Sequence, residues 1–133
     1  MRGRIAATNL RLKRAYEPAE AEDGTRVLID RLWPRGVSKD QAAIDLWLKD
    51  LAPSTALRKW FGHDPARWAE FQRHYAEELQ QHPEPFAQLH DLAQKGRVTL
   101  VYAARDEAHN DAVVLHRLLL ERGKPTSARP IDR

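Results

Sequence analysis

The sequence predicts an α/β fold in which a small, mostly parallel sheet has helices packed on both faces. Residues 26–30 (Arg-Val-Leu-Ile-Asp) and 97–104 (Arg-Val-Thr-Leu-Val-Tyr-Ala-Ala) contain short apolar runs of the kind that form buried strands. Amphipathic segments with helix-start residues lie between these runs. Strands that alternate with helices along a chain favour a parallel sheet with helices packed against it.

The predicted strands follow from apolar runs and from the residues that interrupt them. Residues 10–13 alternate leucines with basic side chains, as in a half-exposed strand. Pro34 and Gly36 end the strand at 26–30, because proline cannot donate to a ladder and glycine permits a sharp turn. The run at 97–104 is unbroken, so we expect helices to cover both of its faces.

The first predicted helix is short. Ser38, with Gln41 three residues later, forms a capping box at which a helix begins. Residues 44–51 fit either a helical stripe or an alternating strand. We favour a helix over 39–43 followed by a strand near 45–50.

The later helices have their own start signals. Ser54 is a cap residue, and Asp64-Pro65 places an acid at a cap position with proline in the first turn. Pro85 begins a further helix, which Gly96 is expected to close in a left-handed conformation. The last helix is predicted over residues 112–122.

Length and composition predict one soluble, cytoplasmic domain over residues 9–122, with flexible ends at 1–8 and 123–133. The sequence has no cysteine, which excludes disulfides, thiolate catalysis and cysteine-ligated metals. The net charge is only +3, and basic residues are interleaved with acids rather than gathered in a block. Composition therefore neither demands nor forbids an anionic partner, and no apolar run is long enough to cross a membrane.

Two polar segments follow the predicted central strands, at 30–36 and 102–110. Ligands of open α/β sheets bind outside the carboxyl ends of strands, so these segments are the expected site. Arg35 and Arg105, with the free N–H groups of a helix start, would suit a phosphate, sulfate or carboxylate. Trp33 or Trp60 could supply a flat wall for a ring.

Two histidines are candidate catalytic proton carriers. His63 stands beside Asp64, and His109 lies in the strand-end loop near Asp106 and Asn110. No two histidines have the spacing of a helical metal-ligand pair, so no metal site is predicted. Glycine-rich nucleotide loops and a nucleophile elbow are also absent from the sequence, so no cofactor is predicted.

Taken in order, several segments resemble the YeaO-like proteins of the family catalogued as domain of unknown function 488. They include residues 27–36, with Trp-Pro-Arg-Gly, residues 57–65, with Trp-Phe-Gly-His-Asp-Pro, and residues 101–106. The resemblance covers about 9–122 and implies a small α/β domain in a bacterial cytoplasm, without a reaction. Other branches have cysteines in matching regions, so thiol chemistry does not transfer to this chain. The resemblance therefore implies only where a site lies. The residues that match the family pattern there are Arg31, Trp33, Arg35, Trp60, His63, Tyr102, Arg105 and Asn110.

Three hypotheses of function remain open at this point. The first is a domain that binds, with or without turnover, a small anionic or phosphorylated ligand at the mouth of the sheet; without a strong nucleophile, any turnover would use acid–base or transfer chemistry. The second is an accessory module for nucleic acid or protein, which would use the basic tail and the basic residues near the N-terminus, namely Arg2, Arg4, Arg11, Lys13 and Arg14. In the third, the arginines pair with Asp30, Asp106 or Glu107 and only hold loops in place.

Overall fold

The computed structural model describes residues 5–121, which form a four-stranded sheet and five helices. All strand pairs are parallel, and the strand order across the sheet is β1-β4-β2-β3. The α/β prediction with a parallel sheet is therefore confirmed. The elements are β1 (Leu10–Arg14), β2 (Thr25–Leu28), α1 (Lys39–Ala42), β3 (Leu46–Trp47), α2 (Thr55–Phe61), α3 (Trp68–Leu79), α4 (Pro83–Lys95), β4 (Val98–Tyr102) and α5 (Asp111–Glu121).

The two faces of the sheet are covered differently. Val27 and Leu100, which are neighbours in the register, point into a large core that also contains the apolar sides of α2, α3, α4 and α5. Leu28 and Val101 point to the opposite face, where Trp33 and Trp47 pack on them. The helices predicted for both faces are thus unevenly distributed, since only the single-turn α1 lies on the second face.

A buried ion cluster also lies on this second face. Asp23 is fully buried, and its carboxylate accepts hydrogen bonds from Lys13 Nζ at 3.1 Å and from Arg26 Nη1 at 2.7 Å. Burial acts to raise the pKa of Asp23, but these bonds and one from the Glu20 amide outweigh it, so the pKa is lowered. Arg26 Nε also donates to the carbonyl of Ala42 at 2.8 Å, which fixes α1 to the sheet.

The predicted helix starts are largely confirmed. Ser38 and Gln41 form the capping box at α1, and Ser54 accepts a hydrogen bond from the Leu57 amide at the start of α2. Asp64 caps a single 3₁₀ turn that leads into α3. Two details differ: α4 begins at Pro83 rather than Pro85, and Gly96 has φ −174°, so it ends α4 in an extended conformation.

Within 44–51 the favoured alternative is confirmed in part, since β3 occupies only Leu46–Trp47 and a 3₁₀ turn follows. Ile5, the first described residue, lies within the range 1–8 that was predicted to be flexible, and it is 5% exposed and packs in the large core. The predictions for 1–4 and 122–133 lie outside the described residues. Among the residues that are described, no helix has the length and apolar character needed to cross a membrane.

Candidate functional site

A cavity of about 350 Å³ lies at the carboxyl ends of β2 and β4. We call it the strand-end cavity. Its walls come from the segment after β2, from α2 and the residues on both sides of it, from the loop after β4 and from the first residue of α5. Single residues after β1 and on α3 complete them. The lining residues are Tyr16, Asp30, Arg31, Leu32, Trp33, Pro34, Arg35, Ala52, Pro53, Arg58, Phe61, His63, Phe71, Ala103, Ala104, His109, Asn110 and Asp111.

The two polar segments predicted to meet do meet at this cavity. β2 and β4 are adjacent and parallel, so the chain leaves both strands at the same edge of the sheet. The Ala103 amide donates to Asp30 Oδ2 at 2.9 Å, which ties one segment to the other. Tyr16 extends the contact from the end of β1, because its hydroxyl donates to the carbonyl of Arg35 at 3.1 Å.

Three arginines line the strand-end cavity. Arg31 is held loosely by the carbonyls of Ala52 and Pro53, at 3.5 and 3.4 Å. The guanidinium groups of Arg35 and Arg58 make no hydrogen bond and no ion pair within 4.0 Å with any described residue, and both side chains are exposed. The alternative in which the predicted arginines pair with acids and only hold loops therefore does not describe Arg35. Arg58, which that alternative did not include, acts on Asp30 and Asp111 only through its charge at a longer distance.

The apolar wall of the cavity includes an anchored tryptophan. Trp33 Nε1 donates to the carbonyl of Val37 at 2.6 Å, and its ring meets Trp47 edge-on at a centroid distance of 5.5 Å. Phe61 and Phe71, which also line the cavity, stack on each other at 4.5 Å. A ligand would therefore meet packed aromatic surfaces next to exposed charged side chains.

Two carboxyls form the inner, half-buried part of the cavity. Asp30 ends the segment after β2, and Asp111 is the first residue of α5. Burial raises the pKa of Asp30 to about 6, against the opposing effects of the Ala103 hydrogen bond and the charge of Arg58. Burial, and then the charge of Asp30, raises the pKa of Asp111 to about 7. The two carboxyls therefore hold a proton near neutral pH.

Both candidate catalytic histidines reach the cavity lining. His63 is exposed and has φ 59°, a left-handed conformation that is costly for a residue with a side chain. His109 Nδ1 lies 3.0 Å from Asp106 Oδ2, and its ring meets Trp68 edge-on at 5.1 Å. Hydrogen bonds from the Ala108 amide and from His109 lower the pKa of Asp106. The contact between the Asp106 carboxylate and His109 Nδ1 orients the imidazole.

Three of the predicted site residues lie outside the strand-end cavity. Trp60 belongs to a separate groove between α2 and α3 and contacts Arg67 and His74. Tyr102 is buried in the large core, 3% exposed. Arg105 is exposed and absent from the lining, so the structure does not bring it to the cavity with Arg35.

The start of α5 also differs from the expectation. A helix N-terminus was expected to offer free N–H groups, but its own side chains already accept them. The Val113 amide donates to Asn110 Oδ1, and the Ala112 amide donates to Asp111 Oδ1, both at 3.0 Å. Asn110 thus lines the cavity as the helix cap, and arginines rather than the helix supply the positive charge.

Sequence reasoning missed Arg58 and Asp111 as site residues. Arg58 lies on the helix that follows the Ser54 cap, three residues before Phe61, and only the packing of α2 brings it to the cavity. Asp111 carried a local signal, because it directly follows the loop that was expected to enter a helix at the strand edge.

Comparison with known proteins adds a family to this geometry. Residues 9–130 match the family model described as the inactive DUF488-N3 subclade. The chain belongs to this subclade. An uncharacterised protein of Escherichia coli K12, YeaO, is 46% identical over 80% of this chain and 93% of its own length. The uncharacterised Rv3073c of Mycobacterium tuberculosis H37Rv is 43% identical over 86% of this chain and 97% of its own. No solved structure matches the chain.

Membership of the DUF488-N3 subclade confirms the resemblance noted from the sequence. The two relatives are bacterial, and both are uncharacterised by name. The family therefore supports the fold and the bacterial affiliation of this chain. A cytoplasmic location stays a prediction.

Proposed function

We propose that this protein binds a small anionic ligand in the strand-end cavity. The observation that carries the proposal is the pair of guanidinium groups of Arg35 and Arg58, which face one cavity without a carboxylate partner among the described residues. A guanidinium fork matches the geometry of phosphate, sulfonate or carboxylate groups. Arg31 adds a third positive charge, and Trp33 offers an aromatic surface beside them.

Binding without turnover is the form of this function that we favour. The subclade that the chain matches is described as inactive. The cavity lining contains no serine, threonine, lysine or cysteine, so the usual hydroxyl, amine and thiol nucleophiles are absent from it. His63 and His109 remain the candidate proton carriers if a bound ligand reacts.

The accessory-module hypothesis gains no support from the structure. Lys13 is buried and bonded to Glu20 and Asp23, so it is not available to a nucleic-acid phosphate. Arg11 lies 3.9 Å from carboxylate oxygens of Glu22 and Asp23, and much of its charge is offset there. The guanidinium of Arg14 donates to the carbonyls of Ala103 and Ala104, and the other basic residues of this hypothesis, at 2, 4 and in the tail, lie outside the described residues.

The test is inorganic phosphate binding to a double variant, Arg35→Gln with Arg58→Gln. Each charge-assisted hydrogen bond contributes roughly 1.5 kcal/mol or more, so the affinity should fall by at least about tenfold. The matched control is Arg105→Gln with Lys59→Gln, which removes the same charge from exposed positions outside the cavity. NMR titration gives the affinities; a cavity variant that binds phosphate as tightly as the control would contradict the proposal.

A further inference from the structure

The strand-end cavity contains charges of both signs in different places. Arg35 and Arg58 are exposed, whereas the carboxyls of Asp30 and Asp111 are half-buried and lie further in. A site built only for an anion would not need acids on its inner wall, because they repel the ligand when ionised. The arrangement is instead complementary to a molecule with opposite charges at its two ends.

Neither inner carboxyl forms an ion pair with a described residue, although the charge of Arg58 acts on both from a longer distance. No lysine, arginine or histidine nitrogen there lies within 4.0 Å of either carboxylate. Asp30 accepts a hydrogen bond from the Ala103 amide, and Asp111 accepts only from backbone amides at the start of its own helix. Half-buried carboxyls without a cation are costly when ionised, and a ligand ammonium would satisfy both.

We propose that the ligand is a zwitterion, whose protonated nitrogen lies between the two inner carboxyls and whose anionic group is bound by the two exposed guanidinium groups. This inference rests on the proposed function and specifies its ligand class: a small molecule that has an ammonium or amidinium group and a phosphate, sulfonate or carboxylate. The cavity volume of about 350 Å³ is within the range of small-molecule sites.

Zwitterion binding to the two carboxyls would depend on pH. Arg31, Arg58, His63 and His109 face the carboxyls across the cavity, and the Tyr75 hydroxyl faces them from α3. Because the pair holds a proton near neutral pH, a bound ammonium group displaces it, and zwitterion affinity rises with pH. The affinity of a simple anion falls over the same range, since the carboxyls become charged.

Matched sulfonates provide the probes, because a sulfonate does not titrate in this range. Taurine and ethanesulfonate differ by one ammonium group, and 3-aminopropanesulfonate and propanesulfonate form a pair with a longer span. NMR titrations of the full chain would follow the four affinities from about pH 5 to about pH 8. We expect at least one aminosulfonate to bind about tenfold more tightly than its partner at about pH 8, with opposite pH trends within that pair.

Two further measurements isolate the carboxyls. Asp111→Asn should remove most of the preference for the aminosulfonate while ethanesulfonate binding is kept or strengthened, and the exposed Asp91→Asn on α4 is the control. Calorimetry of the wild type in buffers of different ionisation enthalpy should show proton release with the aminosulfonate only, without depending on any variant.

The outcomes separate this inference from the proposed function. If each alkylsulfonate binds as well as its amino partner with the same pH trend, the zwitterion inference is overturned and anion binding stands. An amino preference that survives in both Asp30→Asn and Asp111→Asn would also overturn it. If the wild type binds neither the sulfonates nor inorganic phosphate, both proposals are wrong.

Discussion

Replacing Asp111 by asparagine should stabilise the protein, and the gain should grow with pH. Asparagine keeps the size of the side chain and an oxygen for the Ala112 amide, which donates to Asp111 at 3.0 Å, but it has no charge. In the wild type the pKa of Asp111 is raised from 3.8 to about 7, first by burial and then by the charge of Asp30. A raised carboxyl pKa favours the folded state below pH 3.8, and this contribution is lost as the pH rises to about 7.

The size of this effect follows from the pKa change. Each pKa unit corresponds to about 1.4 kcal/mol of free energy. The free energy of unfolding of the wild type can therefore fall by at most about 4 kcal/mol as Asp111 ionises. Cavity water screens the half-buried carboxyl, and the N-terminus of α5 favours a negative charge by up to about 1 kcal/mol. We therefore expect the stability gain of Asp111→Asn to be about 2 kcal/mol larger at about pH 8 than at about pH 4.

Urea unfolding followed by tryptophan fluorescence measures this gain at a series of pH values. Urea is preferred over guanidinium chloride because a salt would screen the charges that are being measured. Asp91→Asn, at an exposed position on α4, should show no comparable pH dependence. A gain that is the same at every pH, or a variant that is less stable than the wild type at about pH 8, would refute the reasoning.

Two further predictions concern the buried ion cluster and the turn that leads into β2. Asp23→Asn should destabilise the protein by about 3 kcal/mol at about pH 7, because it leaves the buried charges of Lys13 and Arg26 without their shared carboxylate. The penalty in urea unfolding should shrink as the pH falls below 3.8, because the carboxylate of the wild type then protonates first in the unfolded state and, at its lowered pKa, in the folded state; an unchanged penalty would contradict the ion-pair explanation. Gly24→Ala should destabilise by roughly 2 kcal/mol or more, since φ is +67° and a Cβ would lie 2.2 Å from the Arg97 carbonyl oxygen. Thermal unfolding would test it, and a melting temperature equal to that of the wild type would show that the Gly24 turn adapts freely.

Local signals in the sequence predicted the elements that depend on local chemistry. The Ser38 capping box and the Ser54 cap are satisfied by neighbouring backbone groups, so their positions could be derived without knowing the fold. The convergence of 30–36 with 102–110 was also predictable, because adjacent parallel strands end at the same edge.

Features that depend on tertiary packing were not predictable in the same way. Phe61 is buried while Trp60, its neighbour on α2, is 36% exposed, and only the orientation of the helix against α3 decides this. The same orientation brings Arg58 to the cavity. The second face of the sheet likewise has no long helix, because the chain between β2 and β3 forms only one helical turn and tryptophans cover the sheet instead.

The central claim is that Arg35 and Arg58 together hold an anion in the strand-end cavity. The most direct test is a crystal structure with selenate, whose anomalous scattering locates the anion without assumptions about its position. The account predicts a selenate within hydrogen-bond distance of both guanidinium groups, beside Trp33. Selenate found only at exposed arginines such as Arg105, with the cavity holding water alone, would contradict it.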